Sequence, residues 1–339
     1  MELSTRMRVP PAESMVKFTE LRADLVPDAV TLWNDAVAAQ GQGYEQHALT
    51  ASRLQAIMAD PNYLPEGAIL AEQEGKLVGL ALGYVQRMDF RGEGDLEKKP
   101  GRLAGVAVRP SHWRKGIGRA LLGKVEDVLS RQGKSSISFE TYRMPLHLAN
   151  RFYLDTGPYR FMIACGYRPL AHALLLRHEL SEFALSDDIQ RRRERLATEG
   201  IQVRWYEPQD RPELLPFMQR CFPGGWFTAI KNATDGVRPA KILLALAQRR
   251  VVGFIGPFWP PNATGLGGFG SPGVDPEFRR RGIGVVLFHL GLDHLKSLGA
   301  RFTDYSTGIQ NPAQHVYFKS GATLTGVACS NFHKTIGKS

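Results

Sequence analysis

Cysteine is scarce. Cys165, Cys221 and Cys329 stand far apart in 339 residues, with no CxxC or other paired spacing. Odd, scattered thiols make no disulfide framework and suit a reducing compartment, so a cytoplasmic protein is expected. Long apolar runs are missing too: no segment approaches the roughly 20 residues that span a bilayer, and no membrane partner is expected. The opening MELSTRMRVPPAESM carries arginines with no apolar segment behind them, so no secretory signal is expected. Nowhere do His, Cys, Asp and Glu fall at metal-ligand spacing, and no metal is expected. What is present is ordinary: 43% apolar, 22% charged and 9% aromatic. That composition excludes disordered, collagen-like and membrane classes. At roughly 100–200 residues per domain, the length suggests two domains.

Acidic residues are in deficit, with 33 Asp+Glu against 43 Lys+Arg and a formal charge of +10. Such an excess favours anionic partners, from phosphates and nucleotides to nucleic acid. Arg191-Arg192-Arg193 reads as a solvated helical face or a linker. Arg279-Arg280-Arg281 stands beside glycines, which changes its meaning.

An internal repeat organises the chain. The fifteen residues from Val108 to Leu122, VRPSHWRKGIGRALL, recur 166 residues later as VDPEFRRRGIGVVLF, Val274 to Phe288, with seven identities. A repeat at half the chain length marks a duplicated unit. The flanks repeat as well. AILAEQ (68–73) and LVGLALGYV (77–85) predict a hairpin, matched by KILLALA (241–247) and VVGFIGPFW (251–259). Helices are predicted from Leu121, Leu122, Val125, Val128 and Leu129, and from Leu287, Leu290, Leu295 and Leu298. Strands SSISFETY (135–142) and RFTDYS (301–306) follow, and each half opens on a strand, VKFTELR (16–22) and IQVRWYE (201–207). The order predicts an α/β (α+β) fold of two tandem domains at 14–180 and 200–336. Each has a mixed, mostly antiparallel sheet flanked by helices. The polar stretch 181–199 reads as their linker.

In both halves a strand runs through Val-x-Pro into a basic turn, Gly-Ile-Gly and an amphipathic helix. A helix N-terminus offers unpaired N–H groups and the positive end of the macrodipole, so it binds phosphate. Glycines admit the anion close to the backbone, and adjacent Arg or Lys add charge. Each turn is therefore a candidate phosphate site: Val108, Arg114, Lys115, Gly116, Ile117, Gly118 and Arg119 in the first half, and Val274, Arg279, Arg280, Arg281, Gly282, Ile283, Gly284 and Val285 in the second.

Val-x-Pro-x-x-Arg-x-x-Gly-x-Gly between a strand and a helix resembles the acyl-CoA-binding motif of the GNAT superfamily of N-acetyltransferases. The resemblance covers most of both halves, as in a tandem member. It implies a sheet of six or seven strands per domain, splayed near the fourth and fifth, with acetyl-CoA as co-substrate. The CoA pyrophosphate would lie on the glycine-turn amides and the pantetheine arm along the fourth strand, and an amine would attack the thioester directly. The copies match unequally. Arg279 fills the family's Arg/Gln position, where the first half has Trp113. The family also has a late Asn–Ala–Tyr–Gly helix. Asn311, Ala313, Tyr317 and Gly321 fit it, with Asn311 one residue closer to the Tyr than usual. In the first half Met162 stands four before Gly166, where the Tyr would be, and the place of Asn150 is open. A thioether donates no proton, so the second half is expected to be catalytic.

By resemblance, Tyr317 would protonate the departing CoA sulfur and the backbone N–H near Val274 would face the carbonyl. Asn311 reads equally as a helix cap or a CoA contact. Asp304 and His315 are the candidate bases, although either reads as a structural group, and many relatives bring the amine in through ordered water. His289 and His294 read as surface or packing residues. Asp275 and Glu277 suit a helix N-terminus. Trp226, Phe227, Phe258 and Trp259 could line an acceptor pocket or simply pack. The expected acceptor is a small-molecule primary amine, since tandem relatives act on thiol-sugar precursors, amino sugars and aminoglycosides. Two rivals remain: a non-catalytic CoA-binding regulatory module, and an RNA-associated acyl or aminoacyl transferase suggested by the charge. The latter ranks last, because no basic stripe is interleaved with aromatics. Oligomeric state is not readable.

Overall fold

The computed structural model describes residues 15–41, 44, 47–87, 95–140, 152–237 and 239–337. Residues 141–142 of the strand expected at 135–142, and Asn150, lie outside them. The described residues divide into two compact units: those up to 87, 95–170 and 330–337 form the first, and 171–329 the second.

In the first unit β1 (Lys17–Glu20), β2 (Ala68–Gln73), β3 (Lys76–Tyr84) and β4 (Gly101–Val108) pair antiparallel in chain order. β5 (Ser136–Glu140) then joins β4 in parallel, and a two-residue β6 (Phe152–Tyr153) follows. The helices are α1 (Val26–Ala38), α2 (Ala51–Met58), α3 (Ile117–Arg131) and α4 (Gly157–Ala164). β3 is buried along nearly its whole length, which explains its near-continuous apolar run. Alternation sends Leu80, Leu82 and Tyr84 into a cluster with Leu32 and Trp33 of α1. The other face meets α3, so closely that a Cβ on Gly83 would lie 2.4 Å from Val125 Cγ1. Leu121, Leu122, Val125, Val128 and Leu129 are all buried, as their spacing predicts. The sheet is completed by residues 331–335, antiparallel on β5 with Phe332 opposite Phe139.

The second unit takes up the chain within β7 (Arg168–Glu179) and continues through helix α5 (Asp187–Thr198). The stretch read as a linker is thus a helix anchored by buried Ile189 and Leu196, while Arg192 pairs with Asp188 on its exposed side. β8 (Ile201–Trp205), helices α6 (Arg211–Cys221) and α7 (Gly225–Thr234), β9 (Leu243–Ala247) and β10 (Arg250–Ile255) come next. β11 (Phe258–Trp259), β12 (Leu266–Phe269), β13 (Pro272–Val274), helix α8 (Ile283–Ser297), β14 (Phe302–Gly308), helix α9 (Gln314–Lys319) and β15 (Thr323–Thr335) complete the order. The strand expected over 251–259 divides into β10 and β11. Gly256 takes φ 131 there and Pro257 has no N–H to offer a ladder. Leu298, expected on the buried face of α8, is its exposed C-cap.

One sheet of this unit runs β13-β10-β9-β8, all antiparallel. The other places β14 between β12, parallel, and β7, antiparallel, with β15 beside β7. The expected mixed, mostly antiparallel sheets flanked by helices are therefore present. The unit boundary falls inside β7 and β15 rather than at the repeat boundary, because residues 173–179 are laddered to β14 and residues 331–335 to β5. In each copy the parallel pair is brief. It registers only Gly101↔Ile137 and Arg102↔Ser138 in the first and Leu266↔Phe302 and Gly267↔Thr303 in the second, after which the strands part.

Candidate active site

The glycine turns follow β4 and β13 and lead into α3 and α8. In each, Pro opens a short 3-10 turn, then a basic residue takes positive φ (Arg114 63, Arg280 66) and the helix N-cap is a left-handed glycine (Gly116 φ 81, Gly282 φ 88). Side chains other than glycine are strained in that region, which fixes the glycine at the cap. The first helical bonds run from Ala120 to the Gly116 carbonyl and from Val286 to that of Gly282. The N–H groups of Ile283, Gly284 and Val285, like those of Ile117, Gly118 and Arg119, are left without an intrahelical acceptor.

The copies share even a side-chain bond. Arg279 Nε donates to the Val274 carbonyl at 3.2 Å, and Trp113 Nε1 donates to the equivalent Val108 carbonyl at 2.6 Å. The bond is conserved while the free guanidinium charge is lost. Arg280 is exposed, Arg281 lies over Phe278 at 5.1 Å, and Arg195 of α5 reaches the Arg281 carbonyl at 3.5 Å. The turn is thereby held by buried Asp275, which accepts from Glu277 N and pairs with Arg250 at 2.8 Å and Arg220 at 3.2 Å. Burial opposes its ionisation, but the Glu277 N–H and the two guanidinium groups outweigh that and hold its carboxyl below the usual range. Asp275 and Glu277 thus act in structure, as their position suggests.

What covers the glycines differs. A Cβ on Gly118 would lie 3.0 Å from the Phe161 ring, and Arg119 Nη2 donates to the Ala164 carbonyl at 3.0 Å, so α4 is drawn over the first turn. The Met162–Gly166 and Tyr317–Gly321 alignment puts Val316 opposite Phe161, and Val285 stands opposite Arg119. Among the described residues a Cβ on Gly284 would meet only Val274 Cγ2, at 3.6 Å, and one on Gly282 only Arg195 Nη2, at 3.8 Å, while one on Gly116 would meet nothing within 4 Å. The two turns therefore differ at the second glycine, which is covered at Gly118 and open at Gly284.

Tyr317, in α9, is buried against Phe288 and Tyr305, with ring centroids at 4.8 and 5.0 Å. Burial pushes its hydroxyl up to about 12. Gly321 at φ 97 ends the helix, as its register predicts. Asn311 Oδ1 accepts from Ala313 N at 3.0 Å, a bond in the turn before α9, whose N-cap is Ala313 and carries no side-chain cap bond. Met162, the counterpart of Tyr317, is a fully buried core residue. Asp304 is not brought to Tyr317. It makes two bonds with Arg177, at 2.8 and 2.9 Å, on the sheet face opposite Tyr305. His315 is exposed, with no side-chain bond among the described residues.

Sequence reasoning misses three residues here. His178 of β7 is buried, with Nδ1 2.8 Å from the Tyr305 hydroxyl and Nε2 3.1 Å from both the carbonyl and Oγ of Ser320. Its signal, a histidine inside the apolar run ALLLRHEL, is faint. Burial lowers the His178 pKa and pushes the Tyr305 phenol well up. Of the candidate acceptor aromatics, Trp226 stacks on Phe222 and Phe258 packs against Trp205 and His294, while Trp259 alone is exposed. His289 Nδ1 is 2.8 Å from the Val285 carbonyl. Among the described residues no three His, Cys, Asp or Glu side chains gather as a metal site.

A model of the acetyltransferase (GNAT) family matches the chain twice, over residues 30–157 and 211–322. The chain belongs to the GNAT acetyltransferase family. Acetyl-CoA is that family's co-substrate. The chain is similar to the mycothiol acetyltransferase of Geodermatophilus obscurus, 28% identical over 269 residues that cover 74% of this chain and 78% of that protein. It is likewise 28% identical to that of Actinosynnema mirum, covering 75% and 79%. Among solved structures, the glucosamine N-acetyltransferase region of a fungal multi-domain β-N-acetylglucosaminidase matches at TM-score 0.73 and 18% identity, covering 97% of this chain and 39% of that one. A tandem GNAT protein from the clavulanic acid biosynthesis pathway matches at TM-score 0.62 and 14% identity, covering 96% and 100%. At these identities the solved structures speak for the tandem fold. No helix among the described residues is long and apolar enough to cross a membrane.

Proposed function

We propose that this chain moves the acetyl group of acetyl-CoA to a primary amine of a small molecule, and that its second unit does so. The observation that carries the reading is the contrast between the turns. Gly282 and Gly284 leave a cradle that a Cβ would begin to fill, with Arg279, Arg280 and Arg281 around it, whereas Phe161 already stands on Gly118. The second cradle suits a pyrophosphate: free amides at a helix N-terminus, close backbone approach and guanidinium charge. When bound there, acetyl-CoA supplies an activated thioester. The chain's own part is to hold it on the amides of Ile283, Gly284 and Val285 and to present a backbone N–H near Val274 to the carbonyl. Tyr317 then gives its proton to the leaving sulfur. That phenol keeps its proton at neutral pH, as a general acid must. The acceptor class rests on the relatives named for mycothiol, and a thiol-sugar amine is the first to try.

The test is calorimetric titration with acetyl-CoA, followed by CoA-thiol release with glucosamine, a cysteinyl amino sugar and an aminoglycoside. One site per chain is expected, lost in Gly282→Glu and kept in Gly116→Glu, with turnover on at least one amine. Binding without turnover would favour a regulatory CoA-binding module. No binding would sink the reading.

A further inference from the structure

The strand that leads into the second turn brings no base. Residues 266–274, LGGFGSPGV, hold no carboxylate, imidazole or phenol. Asp304 is engaged by Arg177 on the far face of the sheet, and His315 is exposed on α9. The titratable groups that do face the splayed strands are Tyr305 and, behind it, His178. Tyr305 lies two residues past the last β12–β14 pair, Gly267↔Thr303, and its ring meets Phe269 at the end of β12 and Tyr317 on α9, at 5.4 and 5.0 Å. It therefore stands where the strands diverge, beside the proposed proton donor.

Resting on the second unit as the catalytic one, we infer that Tyr305 and His178 form the relay that removes the acceptor's proton. The Tyr305 hydroxyl takes it from the amine nitrogen while passing its own to His178 Nδ1. The hydrogen-bond pattern sets the direction. A backbone carbonyl only accepts, so the His178 nitrogen facing the Ser320 carbonyl, Nε2, carries the hydrogen. Ser320 Oγ gives its own hydrogen to the Tyr317 carbonyl at 2.8 Å and presents a lone pair to the same Nε2. Nδ1 is then bare, and the Tyr305 O–H must point at it, leaving the phenol oxygen's other lone pair for an incoming N–H.

The groups around the pair agree. From α8, Phe288 lies edge-on to His178, and His289 is held to the Val285 carbonyl; from α9, Tyr317 faces Tyr305. Arg177 and Asp304 neutralise each other on the opposite face. Among the described residues no carboxylate meets the imidazole, and burial lowers its pKa and favours the neutral form, the one that accepts a proton. In the reaction the amine N–H bond breaks as the N–C bond to the acetyl carbon forms. The C–S bond breaks, and the thiolate takes the Tyr317 proton. His178 ends with one proton gained, by way of Tyr305 from the amine, and Tyr317 with one lost to the thiolate, and exchange with solvent at the splay restores both. Tyr305 is the catalytic residue of the pair, and His178 positions and charges it.

The experiment compares Tyr305→Phe and His178→Gln with the parent, using the fastest amine of the panel above and acetyl-CoA titration as the control for an intact second unit. Glutamine can still donate to the Ser320 carbonyl and accept from Tyr305, but it takes up no proton. Both variants are expected to lose about a hundredfold in kcat, to bind acetyl-CoA within about twofold of the parent, and to recover part of the loss as pH rises. His178→Gln turning over like the parent, or Tyr305→Phe with an unchanged kcat and pH profile, would overturn the relay while leaving the proposed function standing. Should His178→Gln fail to bind acetyl-CoA, Tyr305→Phe decides alone. A parent that binds no acetyl-CoA or acetylates no amine would instead remove the function itself.

Discussion

A phenol packed between Phe288 and Tyr305 is a weak acid that holds its proton until a thiolate forms beside it. Because burial pushes Tyr317 up to about 12, it stays protonated across the range in which an enzyme is assayed, and its loss of a proton begins only near that value. Tyr317→Phe keeps the ring and both aromatic contacts and removes only the O–H. We expect kcat to fall about a hundredfold with acetyl-CoA affinity unchanged, and the parent to show no fall between neutral and mildly alkaline pH that the variant lacks. Stopped turnover assays across pH would read both, and an unaffected kcat would move the donor elsewhere. Tyr317 is legible in the sequence because its distance to Gly321 is short and local. His178 is not, because it reaches the site from a strand 142 residues before Ser320.

Elements explain why one copy of a motif is open and the other is not. The glycines are legible in both, since a left-handed N-cap demands them whatever the turn holds. The covering of the turn is not legible, because it depends on how α4 meets α3. Phe161 and Arg119 are unremarkable in sequence and matter only when the helices are packed. Phe161 for Val316 and Arg119 for Val285 bring α4 over Gly118, beside the exchange of Arg279 for Trp113. Phe161→Ala combined with Arg119→Ala should therefore uncover the first turn, where Arg114 and Lys115 remain as charge. Removing a half-buried ring should cost about 1–3 kcal/mol of stability, below the range for a fully buried Phe. Calorimetry is expected to show a second, weaker acetyl-CoA site in the double variant against one in the parent. A stoichiometry that stays at one would mean that Trp113, not the helix above the turn, excludes the ligand.

At the scale of the molecule, a duplicated sequence does not give two units that each end where their repeat ends. Periodicity reveals strands, but it does not name their partners, so the return of residues 331–335 to β5 is invisible until the sheet is seen. The chain's last segment is nonetheless core material for its first. Phe332 is fully buried, opposite Phe139 and edge-on to Phe152 at 5.2 Å, and Lys334 pairs with Glu126 of α3 at 2.7 Å beneath Tyr167. Without that segment β5 would present an open edge, which invites aggregation. Phe332→Ala should cost about 3–5 kcal/mol, the usual loss for a buried Phe. Its effect should appear about 200 residues away in sequence: faster hydrogen exchange in residues 136–140 and in α3, with β14 unaltered and acetyl-CoA still held at Gly282. Exchange rising equally in β14 would mean that the role of residues 331–335 is not confined to the first unit.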